Sequence, residues 1–142
     1  MGVSPVMQAF FERYEESRNT FDQALIESQY ADTFMFAGPA GARATDKPAV
    51  LAALARGREL FKTRGHKMTR LVAVSETSID ERYTLVRAQF VWRFEKEAAH
   101  PIDVDVDSTF ILYVKDAVPR IVFQHEHEDF QQALRARGVL PA

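Results

Sequence analysis

Two histidines near the C-terminal end of the chain are candidates for acid–base chemistry or ligand binding. His125 and His127 stand two residues apart, which puts both side chains on one face of a β-strand. An imidazole near its ordinary pKa of about 6.5 can take up or release a proton at neutral pH. Three uses of His125 therefore stay open: a general acid or base, a ligand contact, or a core histidine hydrogen-bonded to a neighbour.

The histidine pair does not predict a metal site. His127 falls where the last helix is expected to begin, and no third ligand converges with it. The chain contains no cysteine, which excludes disulfides, thiolate nucleophiles and the common zinc sites. Asp103, Asp105 and Asp107 alternate with valines as in a strand, and Ser108 stands where a calcium loop requires glycine. We therefore expect neither a metal nor a cofactor.

Asp32 is a second candidate for acid–base chemistry. It stands at the junction of a predicted helix and a predicted strand, where a carboxylate commonly caps a turn. If its side chain enters a cavity beside His125 instead, the two groups form an acid–base dyad.

Helical periodicity predicts the elements of the N-terminal half. Ser4-Pro5 opens a helix over about 5–18, and the capping-box form of Thr20 to Gln23 opens a second, short helix. Thr45 or Asp46 caps a third helix, which ends at Gly65. A short apolar strand over 33–36, stopped by a turn over 38–41, lies between the second and third helices.

From residue 66 onward the pattern has a period of two and predicts four strands. They span about 67–79, 82–96, 104–115 and 119–127, with turns at 80–81, 98–101 and 116–117. A terminal helix follows over 128–137, closed by Gly138. We therefore expect an α+β fold in which a curved antiparallel meander packs on the helices.

Hairpin turns predict which side chains face each other. A turn centred near Ala99 sets Phe90 opposite Ser108, and a two-residue turn at 116–117 sets Ser108 opposite His125. The face that meets the helices should then carry Ala88, Phe90, Trp92, Val106, Ser108, Phe110, Leu112, Ile121, Phe123 and His125.

The opposite sheet face mixes apolar and charged residues. It should carry Arg87, Gln89, Val91, Arg93, Asp105, Asp107, Thr109, Ile111, Val122 and Gln124, with Arg93 opposite Asp105. Such a mixture is typical of a face that a partner covers. We expect a homodimer through Gln89, Val91, Thr109, Ile111, Val122 and Gln124.

Length and charge narrow the function classes. The chain has 142 residues, 46% of them hydrophobic, which fits one domain over 1–142. Eighteen Lys and Arg against 20 Asp and Glu give a net charge of −2, so a nucleic-acid-binding surface is not expected. The N-terminal residues have no signal-peptide or membrane-span pattern, so we expect no membrane contact and a cytoplasmic location.

The order of elements resembles the nuclear transport factor 2-like superfamily, including its SnoaL-like, polyketide-cyclase-like branch. The motifs that carry the resemblance are YAD at 30–32 with Phe36, Gly38-Pro39 and Gly41, then DKPAV at 46–50, RIVF at 120–123 and HEDF at 127–130. The resemblance covers nearly the whole chain. It implies a cone-shaped sheet around helices, a pocket at the open end and dimerisation through the convex face.

The resemblance also allows a residue-by-residue comparison with one enzyme of the superfamily. Tyr14 matches the oxyanion-hole tyrosine of the superfamily's ketosteroid isomerase, but Gly38 stands where that enzyme has its aspartate base. Because the reaction needs a base to take the proton, steroid isomerisation is disfavoured.

Two functions stay open from the sequence. One is a small-molecule-binding domain whose mostly apolar pocket takes a small, apolar or weakly polar organic ligand. The other is a cofactor-independent lyase or isomerase that uses His125 with Asp32 or Tyr14. The expected pocket residues are Trp92, Phe90, Ser108, Phe110, Phe123 and Phe36.

Overall fold

Helices and strands occur in the predicted order in the computed structural model, which describes residues 2–96 and 100–141. The elements are α1 (Pro5–Thr20), α2 (Gln23–Gln29), β1 (Tyr30–Gly38), β2 (Gly41–Asp46), α3 (Lys47–Thr63), β3 (His66–Ser78), β4 (Tyr83–Phe94), β5 (Ile102–Lys115), β6 (Val118–Glu126) and α4 (Phe130–Ala136). The predicted α+β class is confirmed. The predicted turn centre at Ala99 lies outside the described residues. None of the described helices is long and apolar enough to cross a membrane.

Side-chain caps begin the helices, and two of the three predicted N-terminal caps are confirmed. Ser4 Oγ accepts a hydrogen bond from the Met7 N–H (3.3 Å), and Asp46 caps α3. The predicted capping box of α2 is wrong, because α1 continues to Thr20 and Asp22 is the N-cap. The Thr20 hydroxyl instead donates back to the Glu16 carbonyl (3.1 Å), a bond that a helical residue commonly makes.

In the described part of the chain, six strands form one sheet in the order β2-β1-β6-β5-β4-β3, with β1 parallel to β6 and the other neighbours antiparallel. The edge strand β2 was not predicted, because GARATD is too small and polar to show a strand pattern. It pairs with β1 through a hairpin in which Gly41 adopts φ 134°, a conformation that favours glycine.

The pairing of β4 with β5 differs from the prediction by two residues. Phe90 lies opposite Val106 and Arg93 lies opposite Asp103, whereas Ser108 and Asp105 were expected. Because side chains alternate with a period of two, an even displacement leaves each one on its predicted face. We call the helix-facing side of the sheet the concave face and the opposite side the convex face.

A β-bulge in β6 reverses part of the predicted pattern. The two-residue turn at Asp116-Ala117 is confirmed, and Leu112 lies opposite Ile121 as predicted. The next pair is Ile111 with Phe123, which leaves one extra residue in β6. From that point the side chains of β6 change face.

The bulge corrects two predicted positions. Phe123 and His125 lie on the convex face, opposite Ile111 and Thr109, while Gln124 joins the concave face. The sequence-based register had placed both aromatic rings toward the helices, because it assumed regular pairing from the turn onward.

The concave face is covered by α1, which places a row of aromatic rings against the sheet. Phe11 packs on Phe110 with ring centroids 5.0 Å apart, and Tyr14 packs on Phe90 at 5.3 Å. Phe90 and Phe110 are only 3% and 0% exposed, which confirms their predicted face. Burial of each ring contributes about 1.5–3 kcal/mol, so this layer holds α1 in a fixed position.

Candidate functional site

One hydrogen-bonded network of polar side chains lies on the concave face inside this apolar interior. Its members come from four elements: α1 contributes two side chains four residues apart and thus on one helix face, and β1, β5 and β6 contribute the rest. We call it the concave network; it consists of Tyr14, Arg18, Tyr30, Ser108, Gln124 and Glu126.

Gln124 is the centre of the concave network. Its Oε1 accepts a hydrogen bond from the Tyr30 hydroxyl (2.8 Å), and its Nε2 donates to the Tyr14 hydroxyl (3.2 Å) and to Glu126 Oε2 (2.9 Å). Both ends of the amide are therefore used. The bulge in β6 is what turns Gln124 and Glu126 toward the helices.

Arg18 is a buried charge that is held by neutral groups. Its side chain donates to the Tyr30 hydroxyl (2.8 Å) and to Ser17 Oγ (2.9 Å), and its guanidinium lies 3.9 Å above the Tyr14 ring. It is 4% exposed. Within residues 2–96 and 100–141 it forms no ion pair, so its positive charge is linked to a carboxylate only through the network.

That carboxylate belongs to Glu126, at the partly exposed end of the concave network. Ser108 Oγ donates to it and lies 2.8 and 2.9 Å from its two oxygens. Ser108 is 2% exposed, whereas Gln124 and Glu126 are only partly buried. A molecule that approaches the network from solvent therefore meets Gln124 and Glu126 first.

The two tyrosines stay protonated at neutral pH. Burial raises the pKa of Tyr14 and of Tyr30 above the ordinary value of a phenol, while the nearby Arg18 acts in the opposite direction. The Tyr30 hydroxyl donates to Gln124, whereas the Tyr14 hydroxyl accepts from Gln124 and can donate its own proton to a carbonyl or hydroxyl oxygen. The Glu126 carboxylate can accept from a hydroxyl.

The predicted dyad of His125 with Asp32 is not assembled. His125 stacks on His127 on the convex face, with ring centroids 4.7 Å apart. The Asp32 side chain is 97% exposed and pairs with Lys47 at 3.4 Å. Both residues were expected beside a cavity on the concave face. His125 lies on the convex face because of the bulge, and Asp32 lies in the exposed first part of β1.

The neighbours of the histidine pair are polar. Thr109 Oγ1 lies 2.7 Å from His127 Nε2, and Asp107 Oδ2 lies 3.7 Å from Nδ1 of the same ring. Asp107 also forms an ion pair with Arg87. Over the described part of the chain, no group of three or more metal-binding side chains could hold an ion.

Most of the predicted pocket residues lie where expected. Phe90, Trp92 and Phe110 are buried on the concave side, and Phe36 is partly buried there beneath the Arg43 guanidinium (5.3 Å). Phe123 is the exception, as described above. Whether these residues contact a ligand stays a prediction.

Side chains fill much of the space between helices and sheet. A cavity of about 10 Å³, the room of a single water, lies between β5 and α4 and is lined by Val106, Phe130 and Ala133 among others. A wide recess of about 450 Å³ opens to solvent outside α4, beside Pro39 and Gln132.

The sequence reasoning missed Arg18, Tyr30, Gln124 and Glu126. A signal existed for Arg18, because it is four residues after Tyr14 and so shares the apolar face of α1. Gln124 and Glu126 gave no comparable signal, since their face depends on the bulge.

Comparisons with known proteins give the fold. No protein-family model matches the chain, and no curated relative matches its sequence. Among solved structures, it is similar to the Aln2 protein of a Streptomyces species, with a TM-score of 0.74 and 14% identity over 96% of this chain and 100% of that one.

Two further solved structures are similar. An NTF-2-like protein of unknown function from Shewanella oneidensis has a TM-score of 0.67 and 14% identity, over 87% of this chain and 97% of that one. An NTF2-like protein of unknown function in nutrient uptake from Rhodospirillum rubrum has a TM-score of 0.63 and 16% identity, over 87% and 98%. The chain therefore has the nuclear transport factor 2-like fold that its sequence predicted.

Proposed function

We propose that the protein binds a small, weakly polar organic molecule at the concave network. The observation that carries this proposal is the buried Arg18, 4% exposed, which donates to the Tyr30 hydroxyl and lies above the Tyr14 ring in an otherwise apolar interior. A buried charge without an ion-pair partner costs stability, and an apolar side chain of similar size would pack there at lower cost. Binding of a polar ligand group, which needs oriented hydrogen-bond donors, accounts for a network that costs stability.

The accessible end of the network suggests the ligand's chemistry. Glu126 can accept a hydrogen bond from a ligand hydroxyl, the Tyr14 hydroxyl behind Gln124 can donate to a carbonyl, and Phe36, paired with Gln124, offers an apolar surface. This combination suits an organic molecule with a flat apolar body and one or two oxygen atoms.

A ligand screen with a matched pair of variants tests this function. Hits found by ligand-observed NMR with the wild-type protein should bind Glu126→Gln about ten-fold or more weakly, because a hydrogen bond to a charged group contributes about 1.5–3 kcal/mol. The control is Glu81→Gln, in the exposed turn before β4, where the side chain is 82% exposed. Equal affinities for both variants and the wild type would contradict the proposal.

A lyase or isomerase is the second candidate, now with different residues. Glu126 and the Tyr14 hydroxyl both bond to the Gln124 amide, at 2.9 and 3.2 Å. A carboxylate that takes a proton and a phenol that donates to the resulting oxyanion are the parts of such a reaction.

Deuterium exchange distinguishes this second candidate from plain binding. Carbonyl-containing hits in D₂O should lose their α-proton signal at a rate that Glu126→Gln abolishes and His125→Ala leaves unchanged. If the hits bind but their α-protons do not exchange, the lyase or isomerase function is wrong and only the binding function is supported.

We also propose a homodimer through the convex face. Met35, Phe123, Ile111 and Leu85 pair directly across four adjacent strands, and Met35 is 38% exposed. Gln124 leaves the predicted interface because of the bulge, and Phe123 takes its place. A stable dimer buries about 800 Å² per partner, so light scattering should show twice the monomer mass for the wild type and the monomer mass for Phe123→Glu.

A further inference from the structure

An aromatic cluster lies beneath α4. Phe130, the first residue of α4, packs on Trp92 with ring centroids 4.9 Å apart and on Phe61 at 5.4 Å. Phe61 and Trp92 contact each other edge to face at 5.3 Å, and the His66 ring lies 5.0 Å from Trp92. Phe61 of α3 and Trp92 of β4 thus form the walls of a site that the phenyl ring of Phe130 occupies, and His66 of β3 packs against Trp92.

The element that carries Phe130 is short. α4 has seven residues, capped by Asp129. Leu134 in the helix and Val139 and Leu140 after it are buried, at 0%, 8% and 9% exposure, so the C-terminal end of the segment is anchored. The cavity of about 10 Å³ between Phe130, Ala133 and β5 shows that the underside of α4 is not fully packed at its beginning. Because a helix shorter than about 12 residues is marginal by itself, loss of the Phe130 contacts should loosen its first turn.

We infer that Phe61 and Trp92 form a binding site for a planar aryl group, and that the Phe130 ring fills this site until a ligand displaces it. The inference rests on the proposed function and adds the chemical class of the ligand. Ring faces and edges at these separations favour another aromatic ring over a saturated one, because the quadrupoles of aromatic rings complement each other.

The polarity of the site agrees with an uncharged aryl group. His66 Nε2 lies 3.0 Å from Thr69 Oγ1, and burial lowers the pKa of His66, so the imidazole is neutral at neutral pH. Trp92 and Ser108 share the concave face, with Ser108 four residues further along the sheet. A ligand whose aryl group replaces Phe130 can therefore extend its oxygen toward the concave network.

Removing the occupant is the direct test. When only a small fraction of the protein has its site open, the apparent affinity for a ligand is reduced in proportion to that fraction. Phe130→Ala should therefore bind 2-naphthol at least ten-fold more tightly than the wild type, as measured by calorimetry. Trp92 is the only tryptophan of the chain, so quenching of its emission by 2-naphthol reports binding at this site.

Two controls accompany the variant. Phe123→Ala removes the same side chain from the convex face and should bind 2-naphthol like the wild type. Decahydro-2-naphthol, the saturated counterpart, should gain much less from Phe130→Ala than 2-naphthol does. A folded Phe130→Ala protein that binds 2-naphthol no more tightly than the wild type overturns the inference, as does an equal gain for the saturated compound.

A milder variant and the wild type decide the matter if Phe130→Ala does not fold. Phe130→Leu should show an intermediate gain in affinity, and saturating 2-naphthol should speed trypsin cleavage of the wild type after Arg135 and Arg137. Unchanged affinity or unchanged cleavage overturns the inference.

The two proposals fail in different ways. If Glu126→Gln weakens ligand binding but Phe130→Ala does not strengthen it, the concave network binds the ligand and the aryl site is wrong. If Phe130→Ala strengthens binding and Glu126→Gln has no effect, the aryl site stands and the proposed role of the network is wrong.

Discussion

The two faces of the sheet carry similar polar residues in different surroundings. On the concave face, Arg18 is 4% exposed and bonds to Tyr30 and Ser17. On the convex face, Arg93 pairs with Asp103 at 2.8 Å, and their side chains are 38% and 43% exposed. Water can replace each partner of the convex pair, whereas the buried Arg18 is shielded from water that could replace its partners.

This difference in burial indicates which polar residues are more informative about function. Exposed ion pairs add little to stability and are easily exchanged. Buried polar groups are costly when a partner is lost. Matched substitutions on the two faces should therefore have unequal effects on the free energy of unfolding, with the larger effect on the concave face.

Phenylalanine truncations compare the faces directly. Phe110→Ala should lower the free energy of unfolding by about 3–5 kcal/mol, since a fully buried ring leaves a cavity. Phe123→Ala, on a partly exposed ring, should cost less than half as much. Urea denaturation at a protein concentration low enough to keep both variants monomeric gives the two values, and similar losses would contradict the difference in burial.

Removing one hydroxyl tests the network without changing its shape. Tyr30→Phe deprives Arg18 and Gln124 of a shared partner and should cost about 1–3 kcal/mol. Tyr113→Phe is the matched change on the convex face, where Tyr113 packs on Tyr83 at 5.3 Å, and should cost less than about 0.5 kcal/mol. Equal small losses would show that the network contributes little to folding.

The smallest effect is a change in the pH dependence of stability. Burial lowers the pKa of His66 in the folded state, so the unfolded chain binds its proton more readily. This residue therefore stabilises the fold fully above the unfolded pKa of about 6.5, and the contribution is lost as the pH falls through the folded value. His66→Gln should flatten the decline in stability on acidification below about pH 6.5, followed by thermal unfolding; an unchanged slope would assign the decline to other groups.

Local patterns predicted much of the architecture. The apolar spacing of α1 and the alternation in β4 and β5 depend on neighbouring residues, so the sequence alone placed Phe90, Phe110 and Ser108 on the helix side. The error of two residues in the β4–β5 pairing did not matter, because an even shift preserves the face.

The edge strand and the α2 cap were harder to predict for a related reason. The strand β2 has small, polar residues and is recognised only by its pairing with β1. The choice of Asp22 over Thr20 as N-cap depended on how far α1 continued. Each outcome was decided by a neighbouring element rather than by the segment itself.

Local periodicity and turn chemistry are sufficient to predict the α+β class, the order of the elements apart from β2, the turn at Asp116-Ala117 and the buried aromatic layer. The face on which Gln124 and His125 lie depends instead on tertiary contacts. The stretch IVFQHEH over 121–127 alternates in either register, and a bulge of one residue exchanges the two faces. The inward position of Gln124 is stabilised by hydrogen bonds to Tyr14 and Tyr30, which are more than ninety residues away in the sequence. Such contacts exist only after the chain has folded, and for this reason the concave network could not be predicted from the sequence.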